Sequence, residues 1–95
     1  MNCKMNNISF WIGCTDAKFL VFFFEKLLIK SKFKILNKRE HKFVPYGLTV
    51  LFLLAESHLA IHTFPEKNKT YIELTSCVDE QFFRFLKLLD IKELI

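Results

Sequence analysis

A hydroxyl, an imidazole and a thiol gather in the middle of this chain. Ser57 and His62 lie within Ala55-Glu56-Ser57-His58-Leu59-Ala60-Ile61-His62-Thr63-Phe64-Pro65-Glu66, and Cys77 follows. The apolar run Leu48–Ala55 leads straight into this stretch, so the groups are expected at the end of a buried strand and within reach of each other. A serine hydroxyl can attack the carbonyl of the residue before it, here Glu56, and carry the acyl group from nitrogen to oxygen. The ester can then eliminate across Cα–Cβ, cutting the chain and leaving dehydroalanine. Tautomerisation and hydrolysis turn that residue into a pyruvoyl group on the new N-terminus. The chemistry needs a strained turn and a general base near the Ser57 Cα hydrogen. On a regular Ser57–Phe64 strand His62 shares no face with Ser57, because their separation is odd. A bend, a bulge or approach through neighbouring strands is then required.

The elements that must hold these groups follow from periodicity. Ile8–Cys14 reads as a strand closed by Gly13, with Thr15 and Asp16 as helix caps. Phe19, Phe22, Phe23, Leu27 and Ile29 give a helix face through about Ser31. Phe33–Leu36 suits a short strand, Asn37–Glu40 a polar turn, and His41–Tyr46 a broken strand ending at Pro45-Tyr46-Gly47. Leu48–Ala55 is apolar on both faces, as a central strand would be. Ser57–Phe64 alternates and stops at the hairpin-like connection Pro65–Lys69, and Thr70–Cys77 is a further strand. Asp79 or its neighbour caps a closing helix carrying Phe82, Phe83, Phe85, Leu86 and Leu89, and the tail Ile91–Ile95 could begin another strand. The order is β-α-β-β-β-β-α. The expected fold is α+β, a two-layer sandwich with a mixed or antiparallel sheet and both helices on one face.

Composition bounds the rest. The chain has 95 residues, of which 52% are apolar and 12 are Phe, more apolar surface than a small monomer readily hides. One domain spanning 1–95 that buries a face against a partner, most simply a homodimer, is the expectation. Cys3, Cys14 and Cys77 are odd in number and lack metal-ligand spacing, so neither a disulfide framework nor a metal site is expected. The N-terminus lacks the apolar core of a signal peptide, and the runs Phe19–Phe24 and Leu48–Ala55 are too short to span a membrane, which points to a reduced, cytoplasmic setting. The net charge of +4 gathers at Lys26, Lys30, Lys32, Lys34, Lys38, Arg39 and Lys42. With no nucleic-acid motif beside it, this cluster reads as a solvated helix end and an exposed strand, a rim that could attract a carboxylate-bearing substrate.

His41-Lys42-Phe43-Val44-Pro45-Tyr46-Gly47, then Glu56-Ser57-His58-Leu59-Ala60-Ile61-His62-Thr63-Phe64-Pro65-Glu66, then Thr75-Ser76-Cys77 resembles the bacterial S-adenosylmethionine decarboxylase proenzymes. The resemblance is close over residues 41–77 and looser over the first strand and helix. It implies self-cleavage between Glu56 and Ser57, giving a β chain of 1–56 and an α chain of 57–95, with Ser57 converted to the pyruvoyl cofactor. It implies that His62 assists processing and that Cys77 is the acid of decarboxylation. Phe43 would stack on the adenine from across the dimer, and Glu66 would lie near the substrate. Thr49 stands where the family has a processing serine and keeps the hydroxyl. Val78 replaces a common Gly and Phe64 a usual Trp. Relatives continue through a further strand and tail, so differences are expected at the sheet edge and in some substrate contacts.

The implied reaction starts with a Schiff base between the substrate amine and the pyruvoyl ketone, which accepts the electrons released with CO2. Protonation at Cα by Cys77 and hydrolysis complete the cycle, with no metal. Taken singly, the residues say less. His62 alone reads as a strand histidine, Cys77 as a small buried hydrophobe, Phe43 as core, and Ser57 as nothing in particular. His58 has no distinct role, and Cys3 and Cys14 read as ordinary thiols. Rival readings keep the chemistry but change the substrate to ornithine or arginine, whose distal cation would want an acidic group such as Glu66 or Glu73, or make the chain a non-processing regulatory paralogue.

Overall fold

Period-two burial builds the sheet and a wider apolar stripe builds the helices. The computed structural model describes residues 4–95, and Cys3 lies outside that range. The elements are β1 (Asn6–Ile12), α1 (Ala17–Lys30), β2 (Ile35–Lys42), β3 (Leu48–Leu54), β4 (Ser57–Phe64), β5 (Lys69–Ser76) and α2 (Asp79–Leu88). Single 3-10 turns lie at Pro65–Lys67 and Ile91–Leu94. The five strands form one sheet in the order β1-β5-β4-β3-β2, with every neighbouring pair antiparallel. This is the expected α+β two-layer arrangement, with the sheet wholly antiparallel.

Alternate residues of the strands face the helices. Val50, Phe52, Leu54, Leu59, Ile61, Ile72 and Leu74 are buried there against Leu20, Phe24 and Leu28 of α1 and Phe82 and Phe85 of α2. Phe24 and Phe85 stack across the two helices with ring centroids 6.4 Å apart. Each such side chain contributes about 1.5–3 kcal/mol by leaving water. The N-terminus of α1 is fixed by Asp16, whose carboxylate accepts from Phe19 N at 3.1 Å.

Two local expectations are corrected. Asn37–Glu40 is no turn, and Phe33–Leu36 and His41–Tyr46 are not separate strands. The segment is one edge strand, β2, paired along its length with β3 and bulged between Ile35 and Asn37. Its polarity is that of an edge: Asn37, Lys38, Arg39, Glu40, His41 and Lys42 are all exposed, and charged side chains there discourage pairing with other chains. The tail forms a 3-10 turn rather than a strand, because Asp90 caps Lys92 N at 3.1 Å and the Leu94 carbonyl accepts from Gly13 N and Cys14 N. At α2 the cap position is Val78, the neighbour of Asp79, as expected; it makes no side-chain bond, and the Asp79 carboxylate accepts from Asn6 Nδ2.

Among the described residues, no layer covers the opposite face of the sheet. Leu51, Leu53 and Trp11 stand about half exposed on it, with His58, His62 and Tyr71 on the same side. Among the described residues, no helix is long and apolar enough to cross a membrane.

Candidate functional site

β3 and β4 are joined by the two-residue loop Ala55-Glu56, since Leu54 pairs directly with Ser57. So tight a reversal places Glu56 in the left-handed region, φ 61°, which costs a non-glycine residue on the order of 1 kcal/mol. The strain thus falls on the residue whose carbonyl the Ser57 hydroxyl would attack. Cys77, exposed just past the end of β5, directs its thiol to that same carbonyl oxygen at 3.5 Å and lies 3.8 Å from Glu56 Oε2.

The Ser57 side chain lies on the helix side of β4, in the layer between sheet and helices. It is 7% exposed, and its hydroxyl donates to Ser76 Oγ at 2.6 Å. Ser76 is fully buried, accepts the Val78 N–H at 3.0 Å, and sits opposite Ser57 in the β4–β5 register. On its other side Ser76 pairs with Asn6, whose bond of 2.7 Å to Asp79 holds the start of α2. Glu56, Ser57, Ser76 and Cys77 therefore share one end of the sheet.

His62 is not with them. β4 pairs without a register shift on both sides, so the odd separation keeps His62 on the open face. Five residues of strand also put it about 17 Å from Ser57 along β4. Of the three groups expected within reach of each other, the Cys77 thiol lies on the carbonyl of the residue before Ser57 while the Ser57 hydroxyl is bonded to Ser76, and His62 is remote from both within one chain.

At its own end His62 has different company. Thr49 is its cross-strand partner, with Thr49 Oγ1 and His62 Nδ1 2.9 Å apart. Tyr71, its partner on β5, stacks against the ring at 6.2 Å between centroids. Trp11 extends this row, 5.1 Å from Tyr71 and 5.9 Å from Phe64. Phe43, half-exposed, packs edge-on against His41 in the loop after β2. That loop closes by Phe43 N donating to Gly47 O at 2.8 Å, with Gly47 at φ 104°, a conformation that disfavours any side chain. Phe43, Tyr46, Thr49, His62, Phe64 and Glu66 line one open cleft of about 490 Å3.

The structure thus sorts the predicted site residues into two sets, Glu56, Ser57 and Cys77 at one end and Phe43, Thr49, His62 and Glu66 at the other. Sequence reasoning passed over Ser76 and Tyr71. Parity held the signal: once Phe64 pairs with Lys69, His62 must meet Tyr71 and Ser57 must meet Ser76. His58 stands on the open face beside Leu53 and Arg39. Among the described residues, no three His, Cys, Asp or Glu side chains gather as a metal site needs.

Comparison with known proteins adds a family. A family model for S-adenosylmethionine decarboxylase matches residues 12–90. The chain is 44% identical over 62 residues to S-adenosylmethionine decarboxylase proenzyme 2 of Bacillus cereus, covering 65% of this chain and 50% of that protein. It is 49% identical over 47 residues to the S-adenosylmethionine decarboxylase proenzyme of Prochlorococcus marinus, covering 50% and 38%. The chain thus spans half or less of the length of these curated relatives. In fold it is similar to the crystal structure of the adenosylmethionine decarboxylase from Aquifex aeolicus, with a TM-score of 0.69 at 20% identity over 87% of this chain and 73% of that one.

Proposed function

This chain belongs to the S-adenosylmethionine decarboxylase family, and from that premise we propose that it cuts itself between Glu56 and Ser57 and then decarboxylates S-adenosylmethionine, whose product supplies spermidine synthesis. The observation that carries the proposal is the junction itself. A strained Glu56 and the hydroxyl on the next residue occupy one turn, and the thiol of Cys77, past the end of β5, reaches the Glu56 carbonyl oxygen at 3.5 Å. As the Ser57 oxygen attacks, charge grows on that carbonyl oxygen, where the Cys77 thiol donates a hydrogen bond.

The surroundings of Ser57 fit a pyruvoyl group. Cutting leaves Ser57 as the first residue of β4, held by the ladder on both sides, with Cys77 beside it. Such a group supplies an electrophilic carbonyl that takes up the electron pair released when CO2 departs. Cys77 holds the proton that the substrate Cα needs, and its exposure leaves it open to a ligand. Phe43 stacks on the adenine, and Glu66 offers the sulfonium a carboxylate.

Two half-sites at opposite ends of one strand call for a second copy. The open sheet face, with Leu51, Leu53 and Trp11 half-exposed, is the surface to bury. Two such faces stack about 10 Å apart in a face-to-face pair. A two-fold axis lying between the sheets and crossing the strands sets the cut end of one copy over the cleft of the other. His62 and Phe43 then serve the partner's Ser57 end, and each homodimer holds two sites.

Mass spectrometry of purified protein tests the processing. Two fragments split before Ser57 are expected, the C-terminal one with a carbonyl-bearing, blocked end, and Ser57→Ala is expected to stay whole and inactive. An intact 11.3 kDa chain after long incubation of the parent would overturn the reading. CO2 release from S-adenosylmethionine, ornithine and arginine, measured side by side, decides the substrate. Faster release from ornithine or arginine would sink the assignment to S-adenosylmethionine.

A further inference from the structure

We propose that Ser76 is a positioning residue for the self-cleavage, holding the Ser57 hydroxyl for attack; this rests on the self-processing reading above. Three observations converge on it. The two hydroxyls are 2.6 Å apart, both are buried, and their residues are direct cross-strand partners, so the contact is fixed by the register rather than by a mobile side chain. Ser76 is held as an acceptor, because it takes the Val78 N–H at 3.0 Å and turns its own proton toward the Val78 carbonyl at 3.5 Å. The loop that carries Val78 is itself held by the Asn6–Asp79 bond.

The consequence is directional. A hydroxyl has one proton and two lone pairs. With its O–H hydrogen-bonded to Ser76, the Ser57 oxygen has its lone pairs left for the carbonyl carbon of Glu56. In the step itself the Oγ–C bond forms and the C–N bond between Glu56 and Ser57 breaks. The hydroxyl proton ends on the freed Ser57 nitrogen, so the step is an isomerisation that consumes nothing. The later elimination breaks the Cβ–Oγ bond and sends that oxygen away with the Glu56 carboxylate. The Ser57 hydroxyl that Ser76 held is then gone. The contact of Ser76 with Ser57 therefore acts in cutting.

The test uses the full chain as Ser76→Ala, Ser76→Thr and Ser76→Val, followed by intact mass against time, with thermal unfolding alongside. Thr and Val have the same shape and differ by a hydroxyl against a methyl, so their ratio reads the hydrogen bond even if the extra carbon strains the site. Ala and Val are expected to slow cutting about tenfold or more, and Thr to stay close to the parent. Cutting is scored by intact mass alone, apart from decarboxylation, because the Ser76 hydroxyl also holds the Val78 N–H beside Cys77. Ser76→Ala cutting at the parental rate, or Thr falling as far as Val, would overturn the role. A parent chain that never cuts would instead overturn the self-processing reading, and the role with it.

Discussion

One end of β4 hides its polar groups and the other displays its rings. Ser57 and Ser76 are buried and satisfy each other, and the strained Glu56 sits just outside with the Cys77 thiol on its carbonyl. At the far end Phe43, Tyr46 and Phe64 stand exposed around His62 and Glu66 in an open cleft. The first end is built to fix covalent geometry, because a buried hydroxyl with one partner has one orientation. The second presents exposed rings and a carboxylate around an open cleft, which on the proposed reading receive something flat and charged. On the proposed reading the first forms the electrophile and the second binds the adenosyl group, and they meet only between two copies.

Unequal damage from equal truncations would sharpen that contrast. Cys77→Ala is expected to lower decarboxylation per cut chain by about a hundredfold or more, the scale of a lost proton donor. The measurement is single-turnover CO2 release, normalised to the cut fraction; full activity would remove Cys77 from the chemistry. Phe43→Ala is expected to do less, and differently. Stacking a base on an aromatic ring is worth about 1–3 kcal/mol, so KM for S-adenosylmethionine should rise about tenfold while the cut fraction holds. An unchanged KM would break the division of labour between the two ends.

Much of this was legible in the residues and some was not. The β-α-β-β-β-β-α order, the central place of Leu48–Leu54 and the Pro65–Lys67 connection follow from alternation and turn chemistry, which are local. The edge strand β2 was misread, because Asn37-Lys38-Arg39-Glu40 has the composition of a turn and is kept extended by its ladder with β3, a partner that local pattern does not name. The odd separation of Ser57 and His62 carried its own warning. The structure leaves it standing, since β4 holds a regular register where a bulge would have joined the two. Ser76 escaped notice because its importance lies in pairing with Ser57 across the β4–β5 register, nineteen residues away in sequence.

Complementation tests the two-ended site most directly. Cys77→Ala damages only the cut end and His62→Ala only the cleft end, so each alone should be nearly inactive. Co-expressed at equal levels, half of the dimers are mixed, and one of the two sites in each mixed dimer is undamaged. CO2 release from S-adenosylmethionine should therefore recover to about a quarter of the parental value. Activity no greater than the sum of the two variants alone would contradict a site shared between copies.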